Sequence, residues 1–151
     1  MIQSGMMQQR VVAEALTWLG TPYRHQASLK GVGCDCLGLV RGVWRALYGG
    51  EPETAPAYTP DWAEARGEET LADAAGRHMA AIAIEEATPG DVLLFRWRAN
   101  LPAKHAGIVI SGNASDADAR FIHAHQGAAV ALATLSPWWR RRIAFAFRFP
   151  E

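Results

Sequence analysis

Only two cysteines occur in this chain, Cys34 and Cys36, and a single residue separates them. That spacing is too tight for an unstrained disulfide, given the usual separation of bridged Cα atoms. The pair is therefore read as serving catalysis, metal binding or plain burial. Cys36 is followed by Leu37, Val40, Trp44 and Leu47 at helical intervals, and Asp35 before it is a good N-cap. A thiol at such a helix start meets unpaired N–H groups and the positive end of the helix dipole, which favour its thiolate. Cys34, in the glycine-bearing loop before Asp35, lacks the full benefit. The bland alternative for either residue is a small buried hydrophobe.

A catalytic thiol also needs an imidazole to take its proton and a third group to orient that imidazole. Five histidines are available. His25 falls in a loop and His78 on a helix, and both are read as structural. His105 opens the apolar segment Ala106-Gly107-Ile108-Val109-Ile110 and should stand at the start of a strand. His123 and His125, two apart in Phe121-Ile122-His123-Ala124-His125, share one strand face. On spacing alone either could orient His105, against the alternative of a merely polar, exposed face. A rival reading makes Cys34, Cys36, His105 and His123 a zinc site, but paired cysteine ligands usually have two to four residues between them.

The elements that must position these groups are legible in outline. Val12, Ala15, Leu16 and Leu19 predict a first amphipathic helix over residues 7–19, with Trp18 packed and Gly20-Thr21-Pro22 as the stop. Residues 22–33 read as a loop. The cysteine helix should end at Gly49-Gly50. Pro52, Pro56 and Pro60 then suggest a surface excursion. Leu71, Ala74, Ala75, Met79 and Ile82 trace one face of a third helix. Beyond Thr88-Pro89-Gly90-Asp91 the pattern changes to strands at 92–97, 106–110, 120–125, 129–132 and 143–149. In the last, Ile143, Phe145, Phe147 and Phe149 should share one face. Helices first and strands second predict an α+β fold, N-terminal helices packed on an antiparallel sheet, in a single domain over 1–151.

Composition narrows the function classes. Half of the residues are hydrophobic and fifteen basic residues balance fifteen acidic ones, so no general field draws the chain to nucleic acid or to an anionic membrane. No run of about 18 apolar residues predicts membrane insertion. The N-terminus does not resemble a secretory signal, so a soluble protein synthesised in the cytoplasm is expected. Arg140-Arg141-Arg142 after Trp138-Trp139 reads as a solvated loop or strand edge. No cofactor and no metal is expected.

Several segments together resemble the NlpC-type cell-wall peptidases, a papain-like family. Asp35-Cys36-Leu37-Gly38-Leu39-Val40 is similar to the family's Asp-Cys-Ser-Gly-Leu-Val, with Leu37 in place of Ser. Leu19-Gly20-Thr21-Pro22-Tyr23-Arg24, Pro89-Gly90-Asp91-Val92, Lys104-His105-Ala106-Gly107-Ile108 and Phe121-Ile122-His123-Ala124 resemble further family segments, in the family's order, over roughly residues 10–135. The resemblance implies a reduced papain-like core with Cys36 as nucleophile, His105 as general base and His123 as orienting residue. It also implies that Tyr23 offers its hydroxyl to an oxyanion beside the Cys36 N–H. Asp35 and His125 are the further candidates at the substrate rim.

By the same resemblance the substrate is a peptidoglycan stem peptide, cut between γ-D-glutamate and a diamino acid. The chain is similar to a short, phage-associated branch, so phage tail proteins or release by lysis are expected to bring it to the wall. A thiol acyltransferase or amidase on another substrate, and an idle tail component, are the other readings.

Overall fold

The computed structural model describes residues 2–52 and 69–151, with side chains from residue 5 onward. The chain opens with helix α1 (Ile2–Leu16). A two-residue hairpin, β1 (Ser28–Leu29) and β2 (Gly33–Cys34), leads into α2 (Cys36–Tyr48). After α3 (Thr70–His78) come β3 (Ala80–Ile82), β4 (Val92–Phe95), β5 (His105–Ser111), β6 (Arg120–Ala124) and β7 (Val130–Thr134). The short helix α4 (Pro137–Arg140) and the strand β8 (Ile143–Arg148) finish the chain. Six strands form one antiparallel sheet in the order β3-β8-β4-β5-β6-β7. The expected α+β architecture holds.

Each face of the sheet carries its own apolar cluster. On one, Leu39, Val40 and Val43 of α2 pack with Ala106, Ile108, Ile122 and Ala124 of β5 and β6. On the other, Leu93, Phe95, Val109, Phe121 and Leu135 are covered by Trp139 of α4. Trp18 is buried as expected, and α2 lies so close that a Cβ on Gly42 would stand 2.1 Å from the Trp18 ring.

Several expectations need correction. Helix α1 stops at Leu16 because Thr17, Trp18 and Leu19 make three-residue turns to Glu14, Ala15 and Leu16, and this leaves Leu19 exposed. The expected loop over residues 22–33 contains β1 and the start of β2. Helix α3 ends at His78, so Met79 and Ile82 are not on its face; residues 80–82 join the sheet edge beside β8. In β8 a bulge opposite Leu94 and Phe95 turns Ile143 onto the Phe95 side, away from Phe145 and Phe147. Arg140 closes helix α4 rather than lying in a loop. The excursion expected around Pro56 and Pro60 lies outside the described residues.

The Pro89-Gly90-Asp91 turn is a structural lock. Gly90 has φ +97°, and a Cβ there would meet the backbone of Gln8 at 2.7 Å. The buried Asp91 carboxylate accepts from Thr88 N at 2.9 Å and takes two bonds from the Arg148 guanidinium, at 2.9 and 2.8 Å. Asp91 thereby ties the entrance of β4 to the end of β8. Asp91→Ala strands these donors, and urea unfolding should show a loss of about 3 kcal/mol. A loss below about 1 kcal/mol would mean that water replaces the carboxylate without cost.

Candidate active site

The start of α2 is held by one buried carboxylate. Asp35 accepts from Gly38 N at 2.7 Å, the expected N-cap, and its second oxygen accepts from Gln26 N at 2.7 Å. Gln26 has φ +67°, the one described non-glycine residue in the left-handed region. The loop it belongs to lies directly on the helix: a Cβ on Gly38 would stand 1.9 Å from the Ala27 carbonyl oxygen. Asp35 therefore fixes both the helix that begins with Cys36 and the loop beside it. Tyr23 is placed from the same side, with its N–H donating to Ala128 O at 3.0 Å and a backbone bridge to Cys34.

The histidines come from the sheet. His105 starts β5 opposite Phe95 at the end of β4. In β5 and β6, Ile108 faces Ile122 and Val109 faces Phe121; the same register carried on sets Gly107 opposite His123. His105 and His123 are then diagonal neighbours on one face. Their rings meet in a hydrogen bond, His105 Nε2 to His123 Nδ1 at 2.9 Å. His125 lies past the end of β6, exposed, with its ring 5.8 Å from that of His105.

A cleft of about 360 Å³ brings these groups to the surface, lined among others by Tyr23, Asp35, Cys36, His105 and His125. His123 stands behind His105, buried. Cys34 is fully buried and takes part in the apolar core, whereas Cys36 is half-buried. The Cys36 thiol donates to the Lys104 carbonyl at 3.7 Å. Since Nε2 of His105 is engaged by His123, Nδ1 is the nitrogen left for the thiol. For Nδ1 to accept a proton, the hydrogen on His105 must be on Nε2, donated to His123.

The electrostatics differ from the expectation of a resting thiolate. Burial, then the charge of Asp35, pushes the Cys36 thiol up to about 12, outweighing hydrogen bonds from the backbone at Ala106 and Leu37. Burial, then His123 and His125, holds His105 well below the usual imidazole value, and His123 is lowered to about 4. Both shifts disfavour a thiolate–imidazolium pair and favour a neutral thiol and a neutral imidazole. Tyr23 is raised to about 12, mainly by burial, and stays a hydroxyl donor. Cys34 is likewise raised to about 12, so access distinguishes the two cysteines.

Sequence reasoning missed Trp97, which lines the cleft with its ring 5.1 Å from that of His105, and Trp139, stacked on His105 from behind. It also read His25 as structural, although His25 lines the cleft 3.9 Å from Asp35. A tryptophan following a β4 pattern carries no local signal of where its ring will lie. Among the described residues no group of three or more His, Cys, Asp or Glu could hold a metal ion, and no helix is long and apolar enough to cross a membrane.

The fold has counterparts among known proteins. The NlpC/P60 family matches residues 20–148. The NlpC/p60 domain of the peptidoglycan hydrolase SagA superposes with a TM-score of 0.64 at 22% identity, over 94% of this chain and 98% of that one. A lipoprotein-like NLP/P60 protein of Staphylococcus aureus gives 0.61 at 23% identity, over 97% of this chain but only 42% of its own. The Mycobacterium tuberculosis peptidoglycan hydrolase RipB gives 0.60 at 18%, over 99% and 68%. The chain thus spans less than half of the staphylococcal protein and nearly all of the SagA domain. No curated protein matches the chain. With the family match running from the turn before Tyr23 to the end of β8, the chain belongs to the NlpC/P60 family.

Proposed function

We propose that the chain is a cysteine peptidase that hydrolyses the stem peptide of bacterial peptidoglycan, at the bond between γ-D-glutamate and a diamino acid. The observation that carries this reading is Cys36 at a helix start in the cleft that His105 also lines, with Nε2 of His105 bound by His123 at 2.9 Å. The substrate class is supported by family membership, and the choice of bond by motif resemblance alone. Delivery by a phage tail or after lysis belongs to the same proposal and rests on the same resemblance.

The chemistry follows from the neutral resting pair. His105 Nδ1 takes the thiol proton as Sγ attacks the scissile carbonyl carbon and the C–S bond forms. The oxygen, now negative, accepts from the Cys36 N–H and the Tyr23 hydroxyl. His105 returns its proton to the leaving amine as the C–N bond breaks, and a thioester remains on Cys36. Water, deprotonated by His105, then cleaves the thioester and restores the thiol. Throughout, His123 accepts the Nε2 hydrogen and keeps the imidazole aligned; Asp35 and His125 border the substrate at the rim.

The cleft also carries Leu37, where the family motif has Ser, together with Leu71 and Trp97. This apolar lining favours, as the second reading, acyl transfer or amide cleavage on a less polar substrate by the same thiol. Incubation with purified peptidoglycan and mass spectrometry of the released fragments separates the two. Fragments ending in γ-D-glutamate are expected, abolished in Cys36→Ala and largely kept in Cys34→Ala. Intact peptidoglycan with an active thiol would leave the second reading.

Two pH dependences follow from the shifts. Because burial raises the Cys36 thiol to about 12, its alkylation by iodoacetamide should keep accelerating up to about pH 10 and outpace that of buried Cys34. A plateau below about pH 8 would reveal a preformed thiolate. The base has a lowered pKa, so it stays neutral as pH falls through 6.5, and turnover should persist there and fail only at more acid pH. Half-loss of kcat/KM near pH 6.5 would contradict a buried base. His123→Ala should cut turnover strongly, with His123→Asn retaining part, and His125→Ala should act mainly on KM.

A further inference from the structure

Trp139 belongs to α4, a single helical turn on the face of the sheet opposite α2, and it does not line the cleft. Its ring nevertheless meets all three imidazoles of the site. It stacks on His105 at 5.7 Å with 28° between planes, and stands edge-on to His123 at 5.1 Å and to His125 at 6.1 Å. Phe95 and Phe121 press on the same indole at 5.1 and 5.2 Å. Trp97 covers His105 from the cleft side, 31° from parallel. The hydrogen-bonded imidazole pair therefore sits in a wall of aromatic rings, and Trp139 is the ring common to all of its members.

We propose that Trp139 is the positioning residue of the His105–His123 pair: its indole fixes both rings in register and excludes water from behind them. The inference rests on the peptidase reading for its catalytic meaning, while the imidazoles themselves can be observed without any substrate. Two effects oppose each other. An indole face over an imidazole stabilises the imidazolium. Water exclusion acts in the opposite direction and is the largest cause of the lowered pKa of His105 and of His123. Opening the wall should thus raise both values toward 6.5.

The charged and titratable groups around His105 do not change that sign. His123 and His125 face it from β6, and both already act to lower its pKa. Cys36 and Asp35 border the same cleft at the start of α2, as do Tyr23 and His25 from the preceding loop and Lys104 at the head of β5. On α4 itself, Arg140 donates to the Ala114 carbonyl, on the connection after β5. Arg96 after β4 is held by Glu69 at 3.0 Å and by Leu101 O at 2.7 Å.

The test uses the full chain as Trp139→Phe, Trp139→Leu and Trp139→Ala, with His105 and His123 followed by NMR through pH and with kinetics on a stem-peptide substrate. Phe keeps a ring in the wall and should stay near wild type. Leu and Ala should lower kcat, by up to about 10²-fold where the base is displaced by an ångström, with KM little changed. Their imidazole titrations and the acid limb of kcat should both move up toward pH 6.5. Trp97→Ala, which alters the cleft itself, should change KM as well. Folded Leu and Ala variants with wild-type titrations and kcat would overturn the proposal, and so would a loss confined to KM. Should Ala not fold, Leu and Phe decide. If the wild type cleaves no stem peptide, the peptidase reading fails, and the imidazole titrations alone judge Trp139.

Discussion

A Cβ on Gly107 would lie 2.7 Å from the Phe121 ring and 3.1 Å from the Ile122 carbonyl oxygen, so β5 and β6 can pair at this point only with a glycine between His105 and Val109. The missing side chain lets Phe121 lean across β5, and beside it the diagonal pair His105 and His123 closes to a 2.9 Å hydrogen bond. The site depends on that contact. Without it Nε2 of His105 would not be engaged, and Nδ1 would not be the nitrogen left for the thiol. The strand neighbours do the rest: Phe95, paired with His105, and Phe121 provide the aromatic backing on which Trp139 closes.

Cys36 is held in place by a separate device. Asp35 caps α2 and holds the Gln26 backbone with its other oxygen. The same carboxylate raises the pKa of the nearby thiol, which is the cost of using an acid as a cap beside a cysteine. Burial acts on the thiol and the imidazole in opposite directions and makes both neutral. In the proposed reaction, proton transfer is then coupled to attack on the substrate instead of preceding it. The helix dipole does not outweigh burial and Asp35 at the thiol; in the proposed reaction, the N–H groups of the helix start act when negative charge reaches the substrate oxygen.

The helix that opens at Cys36, its Asp35 cap and its Gly49 stop were readable because they obey local rules of capping and periodicity. So were five of the six strands of the main sheet. The sequence failed where tertiary contacts overrule local pattern: residues 79–82 continue a helical period yet leave it to pair with β8, and a bulge opposite Leu94 and Phe95 turns Ile143 to the other face. At the site, Cys36, His105 and Tyr23 were legible from types and position with the motif resemblance. The choice between His123 and His125 was not a local matter. Alternation gives both the same face, and only the end of β6 at Ala124 separates a buried partner from an exposed one. Trp139 was out of reach for the same reason, since its partners lie more than a dozen residues away on other strands.

In the proposed reaction Cys36 attacks the substrate and carries its acyl group. Acid-quenched reaction mixtures of stem peptide and enzyme, digested and weighed by mass spectrometry, test it directly. A thioester is expected on the peptide that contains Cys36, gained with loss of the amine fragment and accumulating when deacylation is slowed. Turnover with no acyl group on that peptide, or with the group on Cys34, would contradict it.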